Sequence, residues 1–322
     1  MTEQYRWSSI KEDDVESWAE LTNHLAAVDG TEEFHSAEDR LEELQDAHTD
    51  PATDTVAVWH GEQMVGFGTV SVKLNPDREG RAGVGLDGGV HADHRRRGIG
   101  AELMTRLEAR GRESVSEKHP DRAYHFSTGG GRHGSSARAF HLGRGYEVAR
   151  YFNLMGRALA TDDSAQTILG RPMPGSMVIR APQPHDEKAV FDAHAAAFVD
   201  HWGSAPPVAS VWHEQWTSRS ARPGVSRIAV DPSGTVLAYV LCGQWVPREL
   251  YVNLVGTIPE ARGQGLGSAL LATTVEAAAS SGDYDAIDLD VDSESPTGAT
   301  RIYERLGFTI KHTTALMRKH PS

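Results

Sequence analysis

The sequence predicts an α/β protein made of two similar domains, and three observations support this fold class. A chain of 322 residues is longer than one hydrophobic core usually extends, so two compact domains are expected. A pattern of strand, glycine-rich loop, helix, strand and short helix occurs twice, with Arg95 and Arg262 at equivalent places 167 residues apart. The copies still match at Gly307, which is 45 residues after Arg262 and too far for chance similarity.

Apolar spacing predicts the elements within each copy. Leu103 and Leu107 of the first copy, and Leu270 and Leu271 of the second, recur at helical spacing. The strand that follows each helix is short and rich in apolar residues. In order, the first copy has Gly85–Val90, Arg95–Gly100, Ala101–Glu113, Ala123–Phe126 and Ala137–Gly145, and the second has Leu250–Val255, Arg262–Gly267, Ser268–Ala279, Ala286–Val291 and Ala299–Gly307.

The boundary between the two domains is predicted from turn-forming residues. The segment Thr161–Ser176 contains two glycines and two prolines and is typical of a linker. The second half then begins with a predicted strand, Met177–Arg180, and a predicted helix, Asp186–Val199. The first half also begins with a strand followed by a charged helix. We therefore expect one domain over residues 1–168 and another over 169–322.

Composition and charge narrow the class of protein. The chain is 39% hydrophobic and 24% charged, as is typical of a globular protein, and its net charge of -13 argues against nucleic acid as a partner. Cys242 is the only cysteine, which excludes an internal disulfide, and its apolar surroundings predict a buried thiol. The sequence shows neither a signal peptide nor a run of membrane-spanning length, so we expect a cytoplasmic protein without a membrane partner.

The repeated loop has the composition of a phosphate-binding loop. In the spacing Arg-x-x-Gly-x-Gly, the glycines let the backbone turn tightly and leave no Cβ in the way of a ligand. The next helix presents N–H groups and the positive end of its dipole, which favours a pyrophosphate, and arginine adds a charge-assisted contact. Neither copy fits a nucleotide-hydrolysing loop or a dinucleotide fingerprint. The alternative is that each loop is an ordinary β-to-α turn. This alternative is less favoured because the same loop occurs twice, each time between a strand and a helix.

The second copy resembles the GNAT N-acetyltransferase superfamily in two motifs. These are Val255–Gly267, which reads Val-Gly-Thr-Ile-Pro-Glu-Ala-Arg-Gly-Gln-Gly-Leu-Gly, and Val291–Phe308, which ends in Tyr-Glu-Arg-Leu-Gly-Phe. The resemblance covers the core of both halves and implies two tandem GNAT domains, each with a mixed, mostly antiparallel central sheet flanked by helices. It also implies that acetyl-CoA is the cosubstrate, that no metal takes part, and that the cosubstrate binds where two central strands splay apart.

The resemblance assigns the contacts to acetyl-CoA. Pantetheine is expected along Val255–Thr257, with the Val255 N–H as donor to the oxyanion, and the pyrophosphate is expected at the repeated loop. Ser295 stands where the family usually has asparagine, so its contact to CoA departs from the pattern. The predicted cofactor-binding residues are Val255, Gly256, Thr257, Arg262, Gly263, Gln264, Gly265, Leu266, Gly267, Ser268 and Ser295 in the second copy, and Gly88, Gly89, Val90, Arg95, Arg96, Arg97, Gly98, Ile99 and Gly100 in the first.

The two copies differ at the position of the catalytic acid. Tyr303, four residues before Gly307, matches the tyrosine that protonates the departing CoA thiolate in the family, and a tyrosine is a competent donor at neutral pH. The equivalent residue of the first copy, four residues before Gly145, is His141, whose charge state near neutrality is ambiguous. The C-terminal domain is therefore predicted to be catalytic and the N-terminal domain non-catalytic.

The general base is predicted from strand geometry. Glu249 lies two residues before Tyr251 and hence on the same face of the strand, which makes it a candidate to deprotonate an acceptor amine. A solvated carboxylate at the strand end explains Glu249 equally well. Asp290 and Asp292 on the neighbouring strand are further options.

Together these features predict an N-acetyltransferase that moves an acetyl group from acetyl-CoA to an amine of a small molecule by direct attack. A CoA-binding sensor or scaffold without turnover is the alternative. The chain is expected to act as a monomer or homodimer. Candidate acceptor contacts are Phe198–Gly203 and the acidic cluster around Asp29, which a helix cap and a solvated charged surface explain as well.

Overall fold

A computed structural model describes residues 5–170, 177–199, 201–295 and 298–321. The backbone forms two compact units. Unit 1 consists of Met1–Arg150 with Thr314–Ser322, and unit 2 consists of Tyr151–Thr313. The second part of the predicted linker, residues 171–176, lies outside the described residues.

Unit 1 is a sheet with helices packed against it, and its strands β1 to β5 pair in sequence order. The pairs are antiparallel, except that β4 and β5 are parallel. Its elements are β1 (Arg6–Ser8), α1 (Val15–Asp29), α2 (Ala37–Leu44), α3 (Pro51–Asp54), β2 (Thr55–His60), β3 (Gln63–Val72), β4 (Ala82–Val90), α4 (Ile99–Lys118), β5 (Tyr124–Arg132) and α5 (Ser136–Leu142), followed by the start of β6 (Glu147–Ala158).

Unit 2 repeats this plan, with its strands paired in the order β6-β11-β10-β9-β8-β7. Again the pairs are antiparallel, except that β10 and β11 are parallel. Its elements are α6 (Ala165–Leu169), β7 (Val178–Arg180), α7 (Glu187–Ala197), α8 (Ala209–Thr217), β8 (Arg227–Val230), β9 (Val236–Gly243), β10 (Glu249–Thr257), α9 (Leu266–Ser281), β11 (Ala286–Asp292), α10 (Ala299–Arg305) and the start of β12 (Thr309–Lys319). The mixed, mostly antiparallel sheet implied by the family resemblance is confirmed.

The last strand of each sequence repeat pairs with a strand of the other repeat. From Phe152 to Ala158, β6 runs antiparallel to β11, and from Thr314 to Lys319, β12 runs antiparallel to β5. The compact units are therefore divided after residues 150 and 313. The sequence repeat instead predicts a single boundary near residue 168. A strand belongs to the sheet that supplies its hydrogen-bond partners, and those partners are distant in sequence.

The helix after each repeated loop packs on its sheet as its apolar spacing predicts. Leu270, Leu271 and Val275 of α9 are fully buried in the core of unit 2, and Leu103 and Leu107 of α4 are buried in unit 1. The predicted helices are confirmed, and both extend slightly beyond the predicted ends. Among the described residues, no helix is long and apolar enough to cross a membrane.

Cys242 has the surroundings that its apolar run predicts. Its side chain is buried in the core of unit 2, where burial raises the pKa of the thiol to about 12. A thiol with that pKa carries almost no thiolate at neutral pH, so it is not a nucleophile there. The interpretation of Cys242 as a structural thiol is confirmed.

Buried histidines predict that acid destabilises both units. Burial lowers the pKa of His125, His141 and His194 to about 4, from an ordinary 6.5. Between these pH values the unfolded chain binds more protons than the folded one, so folding stability is complete above pH 6.5 and is lost as pH falls toward 4. The free energy of unfolding in urea should fall by on the order of 1–2 kcal/mol per histidine between pH 7.5 and 5. Equal stability at these two pH values would contradict this.

Candidate active site

The central feature of unit 2 is an opening between β10 and β11. The two parallel strands pair from Glu249 with Ala286 up to Val252 with Leu289, and there the pairing ends although β10 continues to Thr257. In unit 1 the equivalent strands pair up to Gly85 with Ser127, and Gly85 is 167 residues before Val252. Both repeats therefore contain the splayed strands that the resemblance implies.

One edge of β10 is left without a strand partner at this opening. On its other edge, β10 stays paired with β9 as far as Thr257 with Ala238. In the described part of the chain, no strand pairs with the opposite edge of Val255–Thr257. The amide groups of pantetheine can pair with such an edge as an added strand would. This places the three residues predicted to bind pantetheine along one backbone edge that has no strand partner in the described part of the chain.

A glycine is required in this edge because an aromatic ring fills the space beside it. A Cβ at Gly256 would lie 2.4 Å from the ring of Tyr239 on β9, and the equivalent Cβ at Gly89 would lie 2.3 Å from Leu25. The Tyr239 hydroxyl and Nδ1 of His194 share a hydrogen bond at 2.6 Å. Burial lowers the pKa of that imidazole to about 4, so it is neutral at physiological pH. The Tyr239 ring, which packs beside the β10 backbone, is thus hydrogen-bonded to a side chain of α7.

The loop after β10 turns the backbone toward the opening. Gly263 and Gly265 have left-handed φ values of 76° and 78°, which favour glycine. The first intrahelical hydrogen bond of α9 runs from Ala269 N–H to Gly265 O, so the amides of Leu266, Gly267 and Ser268 precede it. A helix N-terminus of this kind attracts a pyrophosphate through its N–H groups and its dipole.

The loop of the first repeat has the same geometry with different side chains. Gly98 has a φ of 87°, and Arg96 adopts a left-handed φ of 63° where the second repeat has glycine. The first intrahelical bond of α4 runs from Glu102 N–H to Gly98 O, which again leaves Ile99 and Gly100 ahead of it. The Arg97 guanidinium lies 3.1 Å from the Asp93 carbonyl, and its predicted role toward CoA stays a prediction.

The first arginine of each loop forms hydrogen bonds with the C-terminal end of a helix near the start of its repeat. Arg262 donates to the Ala197 carbonyl at the end of α7 at 2.8 Å, and Arg95 makes a two-pronged ion pair with Asp29 at the end of α1, at 2.7 and 2.9 Å. Asp29, which the sequence suggested for a cationic acceptor, is therefore occupied by Arg95. The contact of either arginine with a phosphate stays a prediction.

The loop also adjoins the end of the splayed strand. A Cβ at Gly267 would lie 3.6 Å from Oγ1 of Thr257, and a Cβ at Gly100 would lie 3.8 Å from Cγ2 of Val90. The Gln264 side chain lies at the turn before α9, where its amide donates to the Glu260 carbonyl at 3.4 Å. The fold thus brings the two predicted parts of the CoA site together in each repeat.

Tyr303 and His141 occupy equivalent places at the end of a short helix. The carbonyl of Tyr303 accepts a hydrogen bond from Phe308 N–H at 3.1 Å, as the carbonyl of His141 does from Tyr146 N–H at the same distance. The intervening Gly307 has a left-handed φ of 87°, which confirms its predicted role at the helix end. The backbone therefore supports the sequence alignment of these two side chains.

The two side chains differ in their capacity to give a proton. Burial raises the pKa of Tyr303 to about 12, so its hydroxyl is protonated at neutral pH, and among the described residues it has no hydrogen-bond partner. His141 is buried beside Phe140 and Tyr146, and burial lowers its pKa to about 4. At neutral pH, His141 is a neutral imidazole without the acidic imidazolium proton, whereas Tyr303 keeps its phenolic proton.

The remaining predicted residues lie outside the splayed part of β10. Glu249 is three residues before the last paired residue of β10, or about 10 Å along the strand, and its role as base stays a prediction. Ser295 lies in the turn after β11, where its N–H donates to the Asp292 carbonyl at 3.0 Å. Asp200, in the segment suggested for the acceptor, lies outside the described residues. In the described part of the chain, no group of three or more His, Cys, Asp or Glu is placed to hold a metal ion.

Sequence reasoning missed one contact at the apex of the opening. The hydroxyl of Tyr251 donates a hydrogen bond to Asp290 at 2.6 Å, across the two strands that diverge. Both residues were visible in the sequence, and Asp290 was a candidate base. Their contact depends on the register of β10 against β11, which no local pattern reveals.

Comparison with known proteins agrees with this geometry. The profile of the Acetyltransferase (GNAT) family matches residues 13–121 and 188–308. The mycothiol acetyltransferase of Salinispora tropica is 30% identical over 306 residues, which cover 89% of this chain and 87% of the relative. That of Salinispora arenicola is 32% identical over 243 residues, or 70% of each chain.

Two solved structures share the fold over nearly the whole chain. A GCN5-related N-acetyltransferase from Sphaerobacter thermophilus superposes with a TM-score of 0.78 at 23% identity, covering 99% of this chain and 96% of that one. A tandem GNAT protein from the clavulanic acid biosynthesis pathway superposes with a TM-score of 0.70 at 18% identity, covering 99% of this chain and 100% of that one. The predicted family and the tandem architecture are confirmed.

We predict that Gly256→Ala weakens the binding of acetyl-CoA. The added methyl group has no space beside the buried Tyr239 ring, so the β10 edge must shift, at a cost of roughly 1–3 kcal/mol. Calorimetric titration should show the affinity of one site falling by roughly 5- to 150-fold. Gly224→Ala is the matched control, because nothing lies within 4 Å of its Cβ position. Unchanged binding by the Gly256 variant would show that this edge does not hold the cosubstrate.

Proposed function

Because the chain belongs to the Acetyltransferase (GNAT) family and is an acetyl-CoA-dependent N-acetyltransferase, we propose that it acetylates a small-molecule amine and that the chemistry takes place in the second repeat. The observation that carries the proposal is the placement of Tyr303 on α10, directly after β11. His141 occupies the equivalent position in the first repeat and is neutral and buried at physiological pH. The two repeats share a binding scaffold but not a proton donor.

The residues of the second repeat fit acetyl-CoA along its length. The backbone edge of Val255–Thr257 supports pantetheine, and the amides that open α9 support the pyrophosphate. We propose the Val255 N–H as the donor to the carbonyl oxygen of the thioester, whose negative charge grows during attack. A backbone donor fixed in a sheet needs no rearrangement when that charge develops.

Tyr303 is proposed to stabilise the leaving thiolate mainly as a hydrogen-bond donor. A thiol ordinarily has a pKa of roughly 8.5, well below the value of about 12 to which burial raises the pKa of Tyr303. The thiolate therefore accepts a hydrogen bond from the phenol more readily than it removes the proton completely. This refines the general-acid role that the family resemblance implies.

The acceptor is proposed to be a mycothiol-related amine or a similar small molecule. This rests on the two Salinispora relatives, whose names give mycothiol acetyltransferase activity and whose alignments cover 70% and 89% of this chain. Release of CoA should be measured with mycothiol-related amines, glucosamine, spermidine, kanamycin, propylamine and methoxyamine. Absence of transfer to every amine would overturn the proposal.

For the first repeat alone, binding without turnover is the second candidate function. It has the same strand opening and helix N-terminus, but its donor position holds His141. Calorimetry with acetyl-CoA should then find two sites, while loss of Tyr303 abolishes most turnover.

We predict that Tyr303→Phe lowers kcat by roughly 10²–10⁴-fold while the KM for acetyl-CoA changes little, because the hydroxyl acts mainly on the leaving thiolate. Steady-state and pre-steady-state release of CoA would measure both quantities. Tyr124→Phe in β5 is the matched control, since no role is assigned to that hydroxyl. A Tyr303 variant with full turnover in the chemical step would show that the proton donor is elsewhere.

A further inference from the structure

The Tyr251–Asp290 contact lies where β10 and β11 separate. Tyr251 directly precedes Val252, the last residue of β10 paired with β11, and Asp290 directly follows Leu289, its partner. The hydroxyl of Tyr251 donates to Oδ2 of Asp290 at 2.6 Å. The pair therefore stands at the inner end of the opening, toward which a thioester bound along β10 would extend.

The pair faces the side of the sheet opposite to the α9 core. Leu250 and Val252 on one strand, and Leu289 and Val291 on the other, are buried in that core, so the alternating residues between them point the other way. A bulge at Asn253 then shifts the alternation of β10. Beyond it, Leu254 packs in the cluster that α7 and α8 form, whereas Val255 packs in the α9 core.

Tyr303 packs against the α9 core, on the opposite face from Tyr251 and Asp290. The opening is thus flanked by a proton donor on one face and by a carboxylate on the other. Acyl transfer from a thioester to an amine uses a group that takes a proton from the amine and another that stabilises the departing thiolate.

Charge distinguishes Asp290 from the other aspartates of β11. Asp288 is 1% exposed and forms an ion pair with Lys311 at 2.5 Å, and Asp292 is buried and accepts a hydrogen bond from Glu294 N–H. Asp290 is exposed, and within the described ranges its carboxylate accepts one hydrogen bond, from the Tyr251 hydroxyl. Its negative charge remains available to a cation that enters from solvent.

The first repeat provides an internal comparison. Val84 and Phe126 are paired and lie in the core under α4, as Leu250 and Ile287 do in the α9 core. On the opposite face, the residues equivalent to Tyr251 and Asp290 are therefore Gly85 and Gly129. Neither glycine has a side chain that could supply a hydroxyl or a charge. The carboxylate and the tyrosine donor are therefore both confined to the second repeat, as expected if they serve one reaction.

We propose that Asp290 is the catalytic residue on the acceptor side, that it binds and deprotonates a primary ammonium group, and that Tyr251 is a positioning residue. The inference rests on the proposed function and assigns the residues that receive the acceptor in that reaction. One proton passes from the ammonium to Oδ1 of Asp290 while Tyr251 holds Oδ2. The nitrogen lone pair forms the C–N bond as the C–S bond breaks, and CoA leaves as a thiolate that accepts a hydrogen bond from Tyr303. The second nitrogen proton and the proton on Asp290 are released to water, from which the thiolate is then protonated.

The test compares two simple amines of different basicity at neutral pH. Propylamine is almost entirely an ammonium ion there, whereas methoxyamine is mostly neutral and needs no base before attack. Asp290→Asn should lower kcat/KM for propylamine by about 10²–10⁴-fold, lower it far less for methoxyamine, and leave the KM for acetyl-CoA unchanged. Tyr251→Phe should lower kcat/KM for propylamine roughly tenfold, through loss of one hydrogen bond to the carboxylate.

Two controls separate this role from a structural one. Asp283→Asn makes the same change at an exposed turn and should leave both reactions unaltered, and Asp290→Glu should restore part of the propylamine activity. Equal losses for both amines in the Asp290→Asn variant, or a raised KM for acetyl-CoA, would show that Asp290 only holds the two strands together. Either result would overturn the inference. If the wild-type protein acetylates no amine, the proposed function itself fails. If the wild type and Asp290→Asn acetylate propylamine equally, only the inference fails.

Discussion

The separation of two parallel strands is the constraint on which the rest of each repeat depends. While β10 and β11 remain paired, their backbone groups satisfy one another, and beyond Val252 and Leu289 they do not. The backbone edge left by this separation favours a ligand with amide groups of its own. The glycine at position 256, the Tyr239 ring behind it and the loop that leads into α9 all serve to hold that edge in place.

The two repeats show how one scaffold is adapted by a few side chains. Both have the splayed strands, the left-handed loop and the tethering arginine, and Arg95 and Arg262 contact the first helix of their repeats in similar ways. The differences lie in the residues that face the opening. A shared fold does not by itself make both repeats catalysts, because catalysis also needs groups that move protons where charge develops.

The arginine of the repeated loop illustrates how a conspicuous charge can serve the fold. Sequence reasoning assigns Arg95 to a phosphate, yet its guanidinium is held by both oxygens of Asp29 and by the Val90 carbonyl. This contact joins the end of α1 to the end of β4 and so fixes the loop between them. The amides of the helix N-terminus are then presented in a constant orientation.

The sequence by itself determined the features that short segments encode. The repeat, the helices after each loop and the left-handed glycines at positions 263, 265 and 307 follow from local spacing and from the steric freedom of glycine. The family resemblance then supplied the splayed sheet, because a shared fold carries long-range pairing that a single sequence does not display.

Only the tertiary structure decided which distant residues meet. β6 pairs with β11, and β12 with β5, because an open strand edge takes whichever partner the whole fold brings to it. The bulge at Asn253 decides which side chains of β10 face each layer. The Tyr251–Asp290 contact follows from the register of two strands joined by a long helix, and a shift of one residue would turn either side chain to the opposite face.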